Sequence, residues 1–166
     1  LIWLALLLLQ FCGCGSNLDE RVVIHGNISI CSPAEWTVDE EKDGVTVMSG
    51  EGGALRVTVL SEPSGVREPE ALMDTLRAMS PGLKVVEQKG FHAGDNTGRE
   101  FVVSCPGKGR NQDGVVYLFR RDKKLCVLTF VVKEDALAEW LDVFRESVGT
   151  LRFMETFGSE NKDSKS

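Results

Sequence analysis

The sequence predicts an α+β fold, a three-layer α/β/α sandwich with a mainly antiparallel central sheet and two main helices. Short apolar segments alternate with turns rich in Gly, Asp and Lys, which is typical of β-hairpins. Two segments with apolar residues at helical spacing interrupt the strands. Two later strands, 115–119 and 125–132, are apolar at almost every position. Such strands have no wet face, so helices are expected on both sides of the sheet.

The first half of the domain contains strands separated by turns. Strands are predicted at 22–24, 28–30, 36–38, 45–48 and 55–59. The turn sequences Gly26-Asn27 and 40–44 connect consecutive strands, and both predict hairpins. A helix is then predicted over about 69–80, because Pro69 suits a first turn and Pro81-Gly82 ends the pattern.

The second half repeats this order. Further strands are predicted at 85–86, 91, 99–103, 115–119 and 125–132. A last helix is predicted over 134–148, where one apolar stripe faces a charged side. Residues 151–153 are predicted to form a short closing strand, and 154–166 a polar, disordered tail.

The N-terminal residues predict where in the cell the protein is located. Residues 1–11 are apolar and uncharged, too short a run to cross a bilayer, and small residues follow at once. Because Gly13 precedes Cys14, this segment resembles the lipobox of bacterial lipoproteins. The resemblance implies a cleaved signal peptide over 1–13, a lipid on Cys14, a tether over 14–21 and a domain over 22–153. Two alternatives stay open: a secreted protein with Cys14 in a disulfide, and a start upstream of Leu1 that retains the apolar run.

The predicted location is the bacterial cell envelope, with the domain in the periplasm. Gly15 follows the cysteine where an aspartate would favour inner-membrane retention in some bacteria, so the outer membrane is slightly favoured. The chain carries a net charge of −6. An acidic protein is a poor partner for nucleic acid, because phosphate contacts need clustered Lys and Arg.

Three cysteines would remain in a mature, lipidated chain: Cys31, Cys105 and Cys126. An oxidising compartment permits one disulfide among them with one free thiol, and the sequence does not select the pair. Cys105 and Cys126 stand in apolar strand patterns, so a buried thiol is expected for at least one of them.

The domain resembles a known family. The strand 28–30 followed by Pro33-Ala34-Glu35-Trp36 is similar to the opening of PsbP-like and DcrB-like proteins, and the later elements follow in the same order to 151–153. The resemblance covers roughly 28–153. It implies a three-layer sandwich. Many bacterial members of this family are envelope lipoproteins. Members act as binding or assembly factors and share no catalytic motif.

Candidate chemistry in the chain is sparse. His92 and Asp95 offer two metal ligands where a site needs three or four, and His25 is distant in sequence. The acidic segment 39–44 lacks the spacing of a calcium loop. The glycine-rich segment 106–110 lacks the Ser or Thr and the following helix of a phosphate loop. No catalytic residue, metal or cofactor is therefore expected, and Trp36 and Trp140 are read as core.

The remaining candidate is a contact surface of basic residues in an otherwise acidic chain. Its members are Lys108, Arg110, Arg120, Arg121, Lys123 and Lys124. Such residues can face anionic headgroups or an acidic partner, or can be a solvated turn. Taken together, the sequence predicts a non-enzymatic, lipid-anchored envelope protein that binds or assembles another envelope component. The alternative is a carrier of a small apolar ligand in the periplasm.

Overall fold

A computed structural model of the chain describes residues 18–24, 28–40, 46–50, 52–61, 73–74, 77–78, 81–106, 112–121, 124–133 and 135–154. Ten strands lie within this part of the chain. They are β1 (Leu18–Ile24), β2 (Ile28–Pro33), β3 (Thr37–Glu40), β4 (Thr46–Gly50), β5 (Gly53–Ser61), β6 (Lys84–Ala93), β7 (Asn96–Cys105), β8 (Gln112–Arg121), β9 (Lys124–Lys133) and β10 (Arg152–Phe153). One complete helix is described, α1 (Leu137–Gly149).

The strands form two sheets. Seven of them make a large sheet in the order β3-β4-β5-β9-β8-β7-β6, and every neighbouring pair is antiparallel. The other three make a small antiparallel sheet in the order β1-β2-β10. The α+β class and the mainly antiparallel sheet are thereby confirmed, whereas the division into two sheets was not predicted.

The central strands β8 and β9 are buried on both faces, as their continuous apolar sequence predicts. Alternate residues of β8 point to opposite sides. Tyr117 belongs to a core cluster shared with α1 and the small sheet, which therefore lie on one face of the large sheet. Its neighbours Val116 and Leu118 belong to a second cluster on the other face, together with Met73.

The helix predicted over 69–80 lies mostly outside the described residues. Met73, Asp74, Arg77 and Ala78 are described, and all four have helical backbone. Met73 is 1% exposed. The last predicted helix, 134–148, is confirmed as α1 with a later start, because Asp135 adopts a left-handed turn (φ +69°) between β9 and the helix.

The N-terminal strand begins earlier than the sequence predicts. β1 starts at Leu18, four residues before the predicted domain start at Val22, so residues assigned to a tether pair with β2. Leu18 is 8% exposed. Arg21 donates a 2.7 Å hydrogen bond to the carbonyl of Thr150, just after α1. The polar sequence of this segment resembles a linker, but the segment is a strand that pairs with β2, and its Arg21 reaches a carbonyl far along the chain.

Further hydrogen bonds join the small sheet to the end of α1. The Cys31 amide donates to Thr150 Oγ1 at 2.8 Å, and Ser147 Oγ donates to the Cys31 carbonyl at 2.6 Å. Because these bonds connect β2 to the last turn of the helix, they fix the position of the small sheet relative to α1.

Candidate functional site

The described part of the chain contains an open pocket where the Pro33-x-x-Trp36 segment meets the start of α1. Its volume is about 390 Å³. It is lined by Ala34, Glu35, Trp36, Gly52, Lys133, Ala136, Glu139 and Trp140. The motif that carried the family resemblance therefore forms one wall of a concavity, which sequence reasoning did not predict.

Trp36 is held in place by a tight turn and by glycines. Its amide donates to the Pro33 carbonyl at 3.2 Å, and Glu35 between them adopts a left-handed conformation (φ +66°). A side-chain carbon at Gly50 would lie 2.3 Å from Trp36 Cδ1, and one at Gly53 would lie 3.1 Å from Trp36 Cζ2. Both strands must carry glycine here because the indole lies directly against their backbone.

The second indole lies on α1 and completes an aromatic column. The Trp36 and Trp140 ring centroids are 5.5 Å apart. Trp140 stacks on Phe144 at 5.8 Å, and Phe144 stacks on Phe130 at 4.3 Å. Trp36 is core as predicted, with 6% exposure, whereas Trp140 is only partly buried. The column connects the pocket wall to the centre of the core.

The chemistry of the pocket is binding chemistry of mixed polarity. Glu35 and Glu139 bring negative charge, Lys133 brings positive charge, and α1 begins here without a side-chain cap. The Trp36 indole N–H is buried and has no hydrogen-bond acceptor among the residues that the structure describes. Because charges of both signs line the pocket, its electrostatics select neither an anionic nor a cationic ligand.

A second cluster of charged groups surrounds Glu100, which is 2% exposed on β7. Arg145 on α1 donates to its carboxylate from Nη2 at 2.8 Å and from Nε at 3.2 Å. Lys89 on β6 lies 3.3 Å away, Nζ to Oε1. Lys89, Glu100 and Tyr117 are register partners across three strands. The sequence did not reveal this cluster, because a lone carboxylate beside an apolar run resembles a solvent-facing residue.

The pKa values in this cluster identify it as a structural ion pair. Burial raises the pKa of Glu100, but the hydrogen bonds and charge of Arg145 outweigh it, and the pKa lies below the ordinary 4.5. Burial, the Glu100 charge and the contact of the phenol with the Glu100 carboxylate raise the pKa of Tyr117. At neutral pH the carboxylate is ionised and the phenol is neutral, so neither group is poised to transfer a proton.

Three residues of the predicted basic surface lie in the described part of the chain. Arg120, Arg121 and Lys124 are exposed beside the turn between β8 and β9. The Arg121 guanidinium lies 4.3 Å from the centre of the Phe153 ring. The sequence candidates Lys108, Arg110 and Lys123 lie outside the described residues.

In the described part of the chain, no disulfide joins two of the three candidate cysteines. Cys105 and Cys126 are free thiols, and Cys31 is disulfide-bonded to a partner outside the described residues. Cys105 lies level with Lys133 across the sheet, and Cys126 is about 23 Å from Lys133 along β9. A disulfide needs its two Cα atoms within about 7 Å.

The histidine candidates gain no partners among the described residues. His92 is exposed near the end of β6, Asp95 is exposed in the following turn, and His25 lies outside the described residues. Within the ranges given above, no three His, Cys, Asp or Glu side chains come together as a metal site. No helix in the same ranges has the length and apolarity needed to cross a membrane.

Comparison with known proteins gives the fold. No family model matches the chain, and no curated protein matches it in sequence. The solution structure of cyanobacterial PsbP (CyanoP) from Synechocystis sp. PCC 6803 is similar, with a TM-score of 0.63 and 15% identity over 87% of this chain and 98% of that one. The chain thus has a PsbP-like fold, as the resemblance predicted.

Two further solved structures share this fold. The Ran-binding protein Mog1p of Saccharomyces cerevisiae aligns with a TM-score of 0.63 and 13% identity, over 84% of this chain and 97% of that one. LpqN of Mycobacterium tuberculosis, described as involved in cell envelope biogenesis, aligns with a TM-score of 0.55 and 11% identity, over 81% and 91%. At these identities the similarity is one of fold.

Proposed function

We propose that this protein is a non-enzymatic binding module of the bacterial cell envelope, anchored by a lipid on Cys14. The observation that carries the proposal is a PsbP-like domain in which the described buried carboxylate, that of Glu100, forms structural ion pairs. Glu100 is paired with Arg145 and Lys89. The described pocket holds charged and indole groups and contains neither a thiol nor a histidine. Indole faces and charged groups around an open concavity can hold a partner without taking part in a reaction.

The related folds support the same class of function. Mog1p is described as a Ran-binding protein, and LpqN is described as involved in cell envelope biogenesis. A fold that serves a protein-binding role in one case and an envelope role in another is consistent with an assembly or binding factor in the envelope. The fold supplies this expectation by analogy, while the surface of this chain determines its own partner.

The lipid anchor is supported by the small residue before Cys14 and by the uncharged apolar run before it. One acyl chain gives only marginal membrane binding, so stable anchoring requires two or more. A lipid attached through the Cys14 sulfur leaves no thiol there for a disulfide. The lipidated protein therefore has Cys31 either as a free thiol or paired with a different cysteine. The outer membrane is the favoured location.

We also propose that the helix predicted over 69–80 covers the second face of the large sheet, which would complete a three-layer α/β/α sandwich. Met73 supports this proposal, because its backbone is helical and its side chain is buried in the cluster with Leu118 and Val127. The apolar-carrier alternative gains no support from the described pocket, because that pocket is open and lined by Glu35, Lys133 and Glu139.

The decisive experiment is the intact mass of detergent-extracted protein made in a bacterial host, with and without reduction and alkylation. A mass that begins at Cys14 and includes acyl chains is expected, and Cys14→Ala should release the protein from the membrane fraction. A chain that is cleaved but carries no lipid would overturn the anchor. A Cys14–Cys31 disulfide in that chain would identify an ordinary secreted protein.

A further inference from the structure

The pocket at the start of α1 contains two charged groups that the rest of the fold does not engage. Lys133 and Glu139 are both exposed, and neither side chain forms an ion pair within the described part of the chain. Glu35, the third charged residue of the lining, has an interaction of its own. Because the two unengaged charges are opposite in sign, the pocket does not require a charged occupant.

The remaining lining of the pocket is apolar and uncrowded. Trp36 and Trp140 bring two indoles whose ring centroids are 5.5 Å apart, and Ala34 and Ala136 bring methyl groups. Gly52, with φ +91°, brings no side chain at all. A small apolar ring can pack against indoles arranged in this way.

This lining offers one hydrogen-bond donor, the indole N–H of Trp140. The Trp140 side chain is only partly buried, and its Nε1 keeps accessible surface and has no hydrogen-bond acceptor among the described residues. A side-chain carbon at Gly52 would lie 3.3 Å from this nitrogen, so the glycine leaves the donor uncrowded. An occupant that presents a carbonyl oxygen at this point would satisfy the donor.

The uncharged side chains of the lining supply this donor but no acceptor, because an indole nitrogen only donates. A backbone N–H packed against these side chains would therefore have no partner among them, which costs free energy. Proline avoids that cost, since it has no N–H and keeps its carbonyl. Consecutive prolines also form a polyproline II helix before they bind, so they lose little conformational entropy.

The pocket has the size and openness to hold part of such a segment. Its volume of about 390 Å³ lies within the roughly 300–1,000 Å³ that is typical of ligand pockets. Because the pocket is open, an extended chain can enter it and leave it again. Grooves lined by aromatic side chains bind proline-rich segments in other proteins.

We propose that this pocket binds a proline-rich, extended segment of a partner protein. A proline ring packs against the two indoles, and a neighbouring carbonyl of the segment accepts a hydrogen bond from Trp140 Nε1. The proposal names the class of partner for the binding function proposed above and rests on that function. It does not require the lipid anchor, because every group that it uses lies in the described domain.

Titration of the full chain in detergent with a capped octaproline peptide tests this proposal. In protein that carries isotope-labelled tryptophan, the indole N–H resonance of Trp140 should move downfield on binding, and that of the buried Trp36 should move less. Trp140→Phe keeps an aromatic ring and removes the donor, so it should weaken binding of the peptide about tenfold.

A second variant keeps the test independent of any effect of Trp140→Phe on folding. Ala34→Tyr adds a ring to the lining at an exposed position and should weaken octaproline binding at least tenfold. Ala138→Tyr, at an exposed position of α1 outside the lining, makes the same change and should leave binding unaltered.

A capped peptide of alternating glycine and serine, uncharged but with backbone N–H groups, should bind at least tenfold more weakly than octaproline. Equal affinity for the two peptides, or octaproline binding that Ala34→Tyr leaves intact, would overturn the proposal. A Trp140 resonance that responds to an N-acetylglucosamine oligosaccharide and not to octaproline would also overturn it, and would identify a saccharide site. Failure of the lipid-anchored module is distinguishable, because the intact mass reports the lipid and octaproline binding does not require it.

Discussion

Glu100 on β7 and Arg145 on α1 form a two-pronged ion pair across 45 positions of sequence. Nη2 and Nε of the guanidinium both donate to Oε1, at 2.8 and 3.2 Å. The carboxylate is 2% exposed, while the Arg145 side chain is 30% exposed. This contact fixes the second half of the helix over β7, directly after Phe144 of the aromatic column.

Arg145→Met should lower the free energy of unfolding by about 3 kcal/mol, because it leaves a buried carboxylate with Lys89 alone. Urea denaturation measures this change. Asp142→Asn is the matched control on the same helix. Asp142 is 95% exposed and 3.7 Å from Arg145, so its loss should cost less than about 0.5 kcal/mol. Equal losses for the two variants would show that the pair has no special role.

The same carboxylate should make stability depend on pH. The pKa of Glu100 in the folded protein lies below the ordinary 4.5, so the unfolded chain binds its proton more readily. The stabilisation is therefore complete above the ordinary pKa and is lost as pH falls through the folded value. Unfolding free energies measured between pH 3 and 7 should show a smaller acid decline in Glu100→Gln than in the wild type. Parallel curves would contradict this.

Gly50→Ala should displace the Trp36 indole, because the added carbon would lie 2.3 Å from Cδ1. A cost of about 1–3 kcal/mol is expected from such overpacking. Near-ultraviolet circular dichroism of the tryptophans should change as well. Gly149→Ala serves as the control, since nothing lies within 4 Å of its added carbon. That variant should be neutral or stabilising by up to about 1 kcal/mol, through the unfolded chain.

The two free thiols should react slowly and in a fixed order. Burial raises the pKa of Cys126 to about 11, and the side chain is 1% exposed. Burial also raises the pKa of Cys105, which is more accessible at the end of β7. In iodoacetamide at pH 8, mass spectrometry should find Cys105 modified before Cys126, and Cys126 modified only after unfolding. Equal rates in native protein would be inconsistent with the packed core.

Met73→Ala should cost about 3 kcal/mol of unfolding free energy if this methionine fills the second face of the large sheet. It is 1% exposed and packs in the cluster that contains Phe101 and Leu118. The neighbouring Asp74 is exposed and pairs with Arg77 at the surface. Asp74→Ala should therefore change stability by less than about 0.5 kcal/mol. A small effect of Met73→Ala would argue against a helix that seals this face.

The local pattern of apolar residues correctly predicted the strands and the helix that are buried along their whole length or along one continuous face. The continuous apolar runs identified β8 and β9 as central strands, and the stripe from Leu137 to Val148 identified α1. Pattern did not reveal the small sheet. The letters of 151–153 predict a strand, but its partner β2 lies more than a hundred positions earlier, and local periodicity carries no information about such pairing.

The candidate sites were harder to predict, for related reasons. The pocket depends on a turn glycine, Gly52, and on two indoles brought together by tertiary packing. The Glu100 cluster depends on an arginine on another element. The sequence predicted Arg121 as a basic surface residue, but its contact with the Phe153 ring depends on tertiary packing that no single segment encodes.

The bonds from Arg21 and Cys31 to Thr150 span 129 and 119 positions. Residues of β1 and β2 thus find hydrogen-bond partners just after α1, and β10 completes the small sheet only at Phe153. A nascent or translocating chain cannot close this structure until almost all of it is available. Such non-local pairing slows folding, and the second edge of β2 stays open to pairing with other chains until β10 arrives.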